Sequence, residues 1–125
     1  MDTGPALVSI LRQGPNLIAS IHTALDDSQM VRFQQDLIGQ IGQHRSRGVI
    51  IDVAALDVLD SFGARTLRNI AEMARLRGAT TMIVGIQPDV AFAMVELGLD
   101  TGHARTALDL EEALETLGPA PRTPR

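Results

Sequence analysis

The chain contains neither cysteine nor lysine. The first absence excludes a disulfide frame, a thiolate metal site and a cysteine nucleophile. The second removes a phosphate-binding Walker lysine, Schiff-base chemistry and a lysine general base. All eleven basic residues are arginine. Aromatics are nearly absent as well, at 2% of the chain, with Phe33, Phe62 and Phe92 the full set. The core therefore has to be aliphatic. No apolar run approaches the ~20 residues that span a bilayer, and the opening MDTGPALVSIL lacks the basic n-region of a secretory signal. A soluble cytoplasmic protein is the expectation, without membrane contact.

What is present fits one domain: 125 residues, of which 45% are hydrophobic. The net charge of −4 argues against nucleic acid, whose phosphates need clustered cations. Two arginine pairs, Arg45/Arg47 and Arg75/Arg77, fall at apparent helix ends, where they compensate the helix dipole and aid solubility. His22, His44 and His103 are scattered without metal-ligand spacing, so neither a metal nor a cofactor is expected. No G-x-S-x-G elbow or phosphate-binding loop occurs, and no catalytic residue is assigned.

Hydrophobic periodicity gives an element order. ALVSIL (6–11) and NLIASI (16–21) are short β-type runs around a Gly14-Pro15-Asn16 turn, hence a hairpin. Asp26 or Asp27 starts a helix, with Gln29 completing a capping box, and Met30, Phe33, Leu37 and Ile41 form its apolar stripe. Gly39 and Gly42 each cost about 1 kcal/mol in a helix interior and point to close packing or a weak helix end. Gly48 is the expected left-handed stop. GVIIDVAAL then reads as a strand buried on both faces. From Ser61 to Arg77 the pattern is helical, with Gly63, Leu67, Ile70, Ala71 and Ala74 inward. ATTMIVGI is a second buried strand, and QPDVAFAMVELG a short helix with Pro88 in its first turn. HARTA is an edge strand, and LDLEEALETLG a last helix capped by Asp109, its seam Leu110, Leu114 and Leu117. The fold class is α/β: a mixed four- to five-stranded sheet flanked by about four helices. One domain covers residues 1–118, with a disordered tail, PAPRTPR, over 119–125.

The stretch DVLDSFGARTL (57–67) carries the chemistry. Asp60 or Ser61 can cap the helix that follows, an interaction worth about 1 kcal/mol against alanine. Ser61 also suits phosphorylation. A helix N-terminus tolerates a phosphate, which would add about −1.5 to −2 charge beside Asp57 and Asp60 and repel a docked partner without unfolding the host. Arg65, one turn on, could soften the repulsion. Two enzyme readings compete. One is a phospho-aspartate site at Asp52, which lacks neighbouring acids and a lysine; Asp52 instead suits holding the backbone of the following loop. The other is a small phosphotransferase or hydrolase using Asp52, Asp57 and Ser61, for which no base or electrophilic partner is evident.

From GVIIDVAALDVLDSFGARTLRNIAEMARLRGATTMIVGIQPDVAFAMVELGLD the chain resembles the STAS domain of bacterial anti-sigma factor antagonists. The resemblance spans residues 5 to about 117. IIDVAALDVLDSFGAR and VGIQPDVAFAMVELGLD look most like the RsbS-type stressosome scaffold branch. The resemblance implies a non-enzymatic scaffold in a large hetero-oligomer with RsbR-like co-antagonists, a homodimer being kept open beside it. Ser61 would be phosphorylated by an RsbT-like serine kinase, which is held before phosphorylation and released after it, so controlling the general stress (sigma factor) pathway. A PPM-type phosphatase would reset it. Asp57, Asp60, Phe62 and Arg65 are the expected near-site residues. RsbR-type relatives carry a second phosphorylatable site where Ser28 stands, but Asp26-Asp27 before it argues against its use. The alternative is a free SpoIIAA-type antagonist that binds an anti-sigma kinase directly. Finally, the helix after Pro88 is apolar nearly all round, so Phe92 and Met94 are candidates for an assembly surface, the alternatives being core positions behind an uninformative alanine face.

Overall fold

The structure, a computed structural model, describes residues 6–118. The expected tail, 119–125, lies outside the described residues. The elements run β1 (Val8–Gln13), β2 (Asn16–Ile21), α1 (Asp27–His44), β3 (Gly48–Asp52), α2 (Ser61–Leu76), β4 (Thr80–Val84), α3 (Pro88–Glu96), β5 (Arg105–Ala107) and α4 (Leu110–Leu117). The sheet order is β1-β2-β3-β4-β5. β1 is antiparallel to β2, and every other pairing is parallel. The expected hairpin, both buried strands and all four helices are present, and the sheet has five strands.

The hairpin closes on two residues, with Gln13 opposite Asn16 and Gly14 at φ 58°, a left-handed conformation that glycine adopts without strain. β3, in the middle of the sheet, is apolar on both faces because helices cover both. Leu17, Ala19, Val49, Ile51 and Ile83 join Phe33, Leu37 and Ile41 of α1 and Leu67, Ile70 and Ala74 of α2 in the main core. The alternate residues Ile18, Ile50, Met82 and Val84 form a smaller core against α4. There the expected seam of Leu110, Leu114 and Leu117 is only half-buried, and Ala113 is its fully buried centre.

The end of α1 differs from expectation. The left-handed cap is Arg45 (φ 51°), whose N–H reaches the Gly42 carbonyl at 3.4 Å, and Gly48 is already strand. Gly48 owes its identity to crowding instead, since a Cβ there would fall on Asn16 Oδ1. Arg45 is the one non-glycine residue at positive φ among those described, a conformation costing on the order of 1–2 kcal/mol for a residue with a Cβ. α2, by contrast, ends on Arg77 with glycine after it, Gly78 at φ 85°.

Candidate functional site at the start of α2

Parallel strands deliver their connections to one end of the sheet. The segment between β3 and α2 leaves there and is pinned by backbone and side-chain bonds. Val53 N–H donates to the Val84 carbonyl at 3.0 Å, and Leu56 N–H to the Val53 carbonyl at 2.9 Å. Asp52 Oδ1 accepts from Ala54 N–H at 2.9 Å, the backbone-holding role expected of it. Gln87 Nε2 donates to the Ala54 carbonyl at 2.8 Å and ties the β4–α3 connection to the same turn.

The chain then rises into α2. Asp60 is the N-cap, with extended backbone (φ −80°, ψ 175°). Its Oδ1 accepts from Gly63 N–H at 2.7 Å. The choice left open between Asp60 and Ser61 is thereby settled: the aspartate caps, and Ser61 is the first helical residue. Ser61 is partly exposed. The first N–H groups of a helix have no intrahelical acceptor, and the Asp60 carboxylate takes that of Gly63. The positive end of the helix dipole lies at the same turn.

The neighbours sort by exposure. Asp57, Asp60 and Arg65 are exposed, so two carboxylates and one guanidinium lie at the surface within four residues of the serine in sequence. Phe62 is half-buried and packs against the main core; its carbonyl accepts from Thr66 Oγ1 at 2.8 Å. It supports the helix start more than it presents a surface. Val58, which sequence reasoning passed over, is 64% exposed and adds an apolar tip next to Asp57. Gly63 was read only as an inward position. It also makes room beneath the turn: a Cβ there would meet Leu59 Cδ1 at 2.8 Å. A glycine at the third helical position was the available signal for such close packing; nothing in the sequence pointed to Gln87.

Other expected positions lie elsewhere. Ser28 Oγ donates to Asp26 Oδ1 at 2.9 Å, inside the cap of α1. Phe92 is 68% exposed, but Met94 is 8% exposed and sits in a small apolar gap with Val53, Leu59 and Ile83. The two cannot share an assembly surface, because positions two apart on a helix point about 200° apart. The exposed apolar partners of Phe92 are Val95 and Leu97. Among the described residues no cluster of three or more acids and histidines could hold a metal ion. No helix among them is long and apolar enough to cross a membrane.

Comparison with known proteins decides the family. The sequence profile of the STAS domain matches residues 8–113. The chain belongs to the STAS domain family. Among solved STAS structures, Moorella thermoacetica RsbS, in a form with one serine replaced by glutamate, is 35% identical, superposes with a TM-score of 0.77, and is covered over 95% of its length by 90% of this chain. A STAS chain from the molecular architecture of the stressosome, a signal integration and transduction hub, is 31% identical with a TM-score of 0.71; the match covers 87% of this chain and 95% of that one. The RsbT co-antagonist protein RsbRA of Bacillus subtilis is 30% identical over 92 residues, 74% of this chain and 34% of that protein. The STAS chain thus spans about a third of that relative's length. The fold and the family are those of anti-sigma factor antagonists of the RsbS and stressosome type.

Proposed function

We propose that this STAS protein is a phosphorylation-regulated, non-enzymatic scaffold that holds an RsbT-like serine kinase and releases it when Ser61 is phosphorylated, so controlling a general stress pathway. The observation that carries this reading is the division of labour at the start of α2. Asp60 supplies the cap, and Ser61 stands beside it, partly exposed and outside the cap bond. A phosphate there costs the fold no capping interaction and gains the helix dipole. It also places a dianion next to Asp57 and Asp60, on a surface where Val58 offers a partner an apolar contact. Charge added at a docking surface raises repulsion and desolvation cost there, and the interface changes while the fold stays.

Support also comes from relatives. The RsbS structure carries a serine-to-glutamate replacement, and RsbRA is named for co-antagonism of RsbT. A large hetero-oligomer with RsbR-like STAS co-antagonists, resetting by a PPM-type phosphatase and a cytoplasmic location go with this reading. The test is incubation of the full chain with a cognate kinase and ATP, followed by mass spectrometry and co-purification. A single phosphoserine at Ser61 with loss of the bound kinase is expected. Ser61→Ala retains the kinase under the same treatment, and Ser61→Asp weakens retention. Label elsewhere with Ser61 untouched overturns the proposal. Native mass separates the scaffold from a free antagonist, which would run as a monomer or dimer when mixed with co-antagonists.

A further inference from the structure

The end of the sheet opposite Ser61 carries a feature that the switch does not use. The four parallel strands start there and α1 and α2 finish there. This convergence brings together arginines that the sequence had placed at two separate helix ends. Arg45, Arg47 and Arg77 line one open cleft of about 410 Å³ whose remaining walls include Gly42, Ser46 and Gly78. All three arginines are exposed. The ion pairs of the described residues lie elsewhere, at Arg68–Asp100, Arg75–Glu72 and His103–Glu72. No acidic residue lines the cleft.

Dipole compensation accounts for only part of this charge. Two helix C-termini present about −0.5 each, whereas the cleft holds three full positive charges in a chain of net −4. Two backbone features independently favour these side chains where they stand. Gly42 lies inside α1, and a Cβ there would fall on Arg77 Nη2, so the missing side chain leaves that guanidinium room against the helix. Arg45 occupies the left-handed cap position (φ 51°) that glycine would fill without strain. A helix that accepts a glycine inside it and an arginine at its cap, both facing one cleft, is arranged around the cleft.

We infer that this cleft is a binding site for a phosphate-class oxyanion carried on a small molecule. Guanidinium forks match phosphate oxygens in geometry and charge, and the volume exceeds what a single ion needs, so the bound group has room for a substituent. The site stands apart from Ser61 and does not depend on its modification.

Pyrophosphate titrated into the full-length, unphosphorylated chain at constant ionic strength tests this, read by amide NMR shifts and calorimetry. Saturable shifts confined to Gly42, Ser46, Gly78 and their neighbours are expected, with a dissociation constant below about 1 mM. Arg47→Ala and Arg77→Ala should each weaken binding about ten-fold. Arg77→Lys, which keeps the charge but loses the fork, should lie between. Gly42→Ala should weaken binding while leaving α1 intact, since alanine favours the helix and displaces only the guanidinium. Arg32→Ala, near the start of α1 at the opposite end of the sheet, should change nothing. Absence of saturation, or equal loss in Arg32→Ala, overturns the inference. Shifts that follow protein concentration instead of pyrophosphate also overturn it, by making the acidic end of a second copy the occupant.

Discussion

Two helices of this STAS domain start with nearly the same chemistry and use it differently. α1 opens Asp26-Asp27-Ser28-Gln29, and α2 opens Asp60-Ser61-Phe62-Gly63. Both are capped by the aspartate. At α1 the serine is the second helical residue and is already engaged. Its hydroxyl donates to Asp26 Oδ1, which also accepts from Gln29 N–H at 2.8 Å, while Gln29 Oε1 accepts from Asp26 N–H at 2.8 Å. The Gln29 amide and then the Ser28 hydroxyl hold the Asp26 carboxyl below its ordinary range. At α2 the serine stands one position earlier, and the third helical residue is a glycine with no side chain to reciprocate the cap. One residue of offset decides whether a serine beside a cap is part of it. A phosphate on Ser28 would have to break a bond and sit against a carboxylate held in its charged form; on Ser61 it would break none.

The comparison can be broken most decisively by phosphorylation itself. With a cognate kinase, Ser61→Ala should abolish the label and Ser28→Ala should leave it; the reverse pattern in the mass spectrum ends the distinction. Next in size are the caps. Asp60→Ala should cost about 1 kcal/mol in urea unfolding, and Asp26→Ala should cost more, since the Asp26 carboxylate accepts two hydrogen bonds and that of Asp60 one. Equal midpoints would mean that the fuller cap adds nothing.

Acid should sharpen the contrast further. The Asp26 carboxyl titrates lower folded than unfolded, so its contribution is fully present above the unfolded value of about 3.9 and is lost as pH falls through the lower folded value. As pH falls below about 4 the wild type should therefore lose more stability than Asp26→Asn, in unfolding curves recorded across that range. The smallest effect is on the serines as structural groups. Ser61→Ala should stay within about 0.5 kcal/mol of wild type, and Ser28→Ala should lower the midpoint slightly more.

Much of this was legible beforehand because local rules suffice for it. The capping box at α1 follows from Asp26 and Gln29 three apart, and the stripe Met30, Phe33, Leu37, Ile41 is buried as its spacing requires. The continuous apolar run of β3 marked a strand covered on both faces. What failed depended on contacts distant in sequence. Gly48 was read as a helix stop, yet its neighbour Asn16, across a parallel pairing, explains it. Met94 was a candidate for an assembly surface because α3 is apolar nearly all round, a pattern from which periodicity alone cannot choose the inward face.

By itself the sequence determined the elements, their order, an aliphatic core and a serine at the start of α2, because periodicity, capping and turn chemistry act within a few residues. Only the tertiary structure decided that Asp60 rather than Ser61 makes the cap, that Met94 turns inward, and that arginines from two helix ends converge on one cleft. Those outcomes depend on which side chains meet across the sheet and at its two ends, and such meetings are set by the packing of the whole chain.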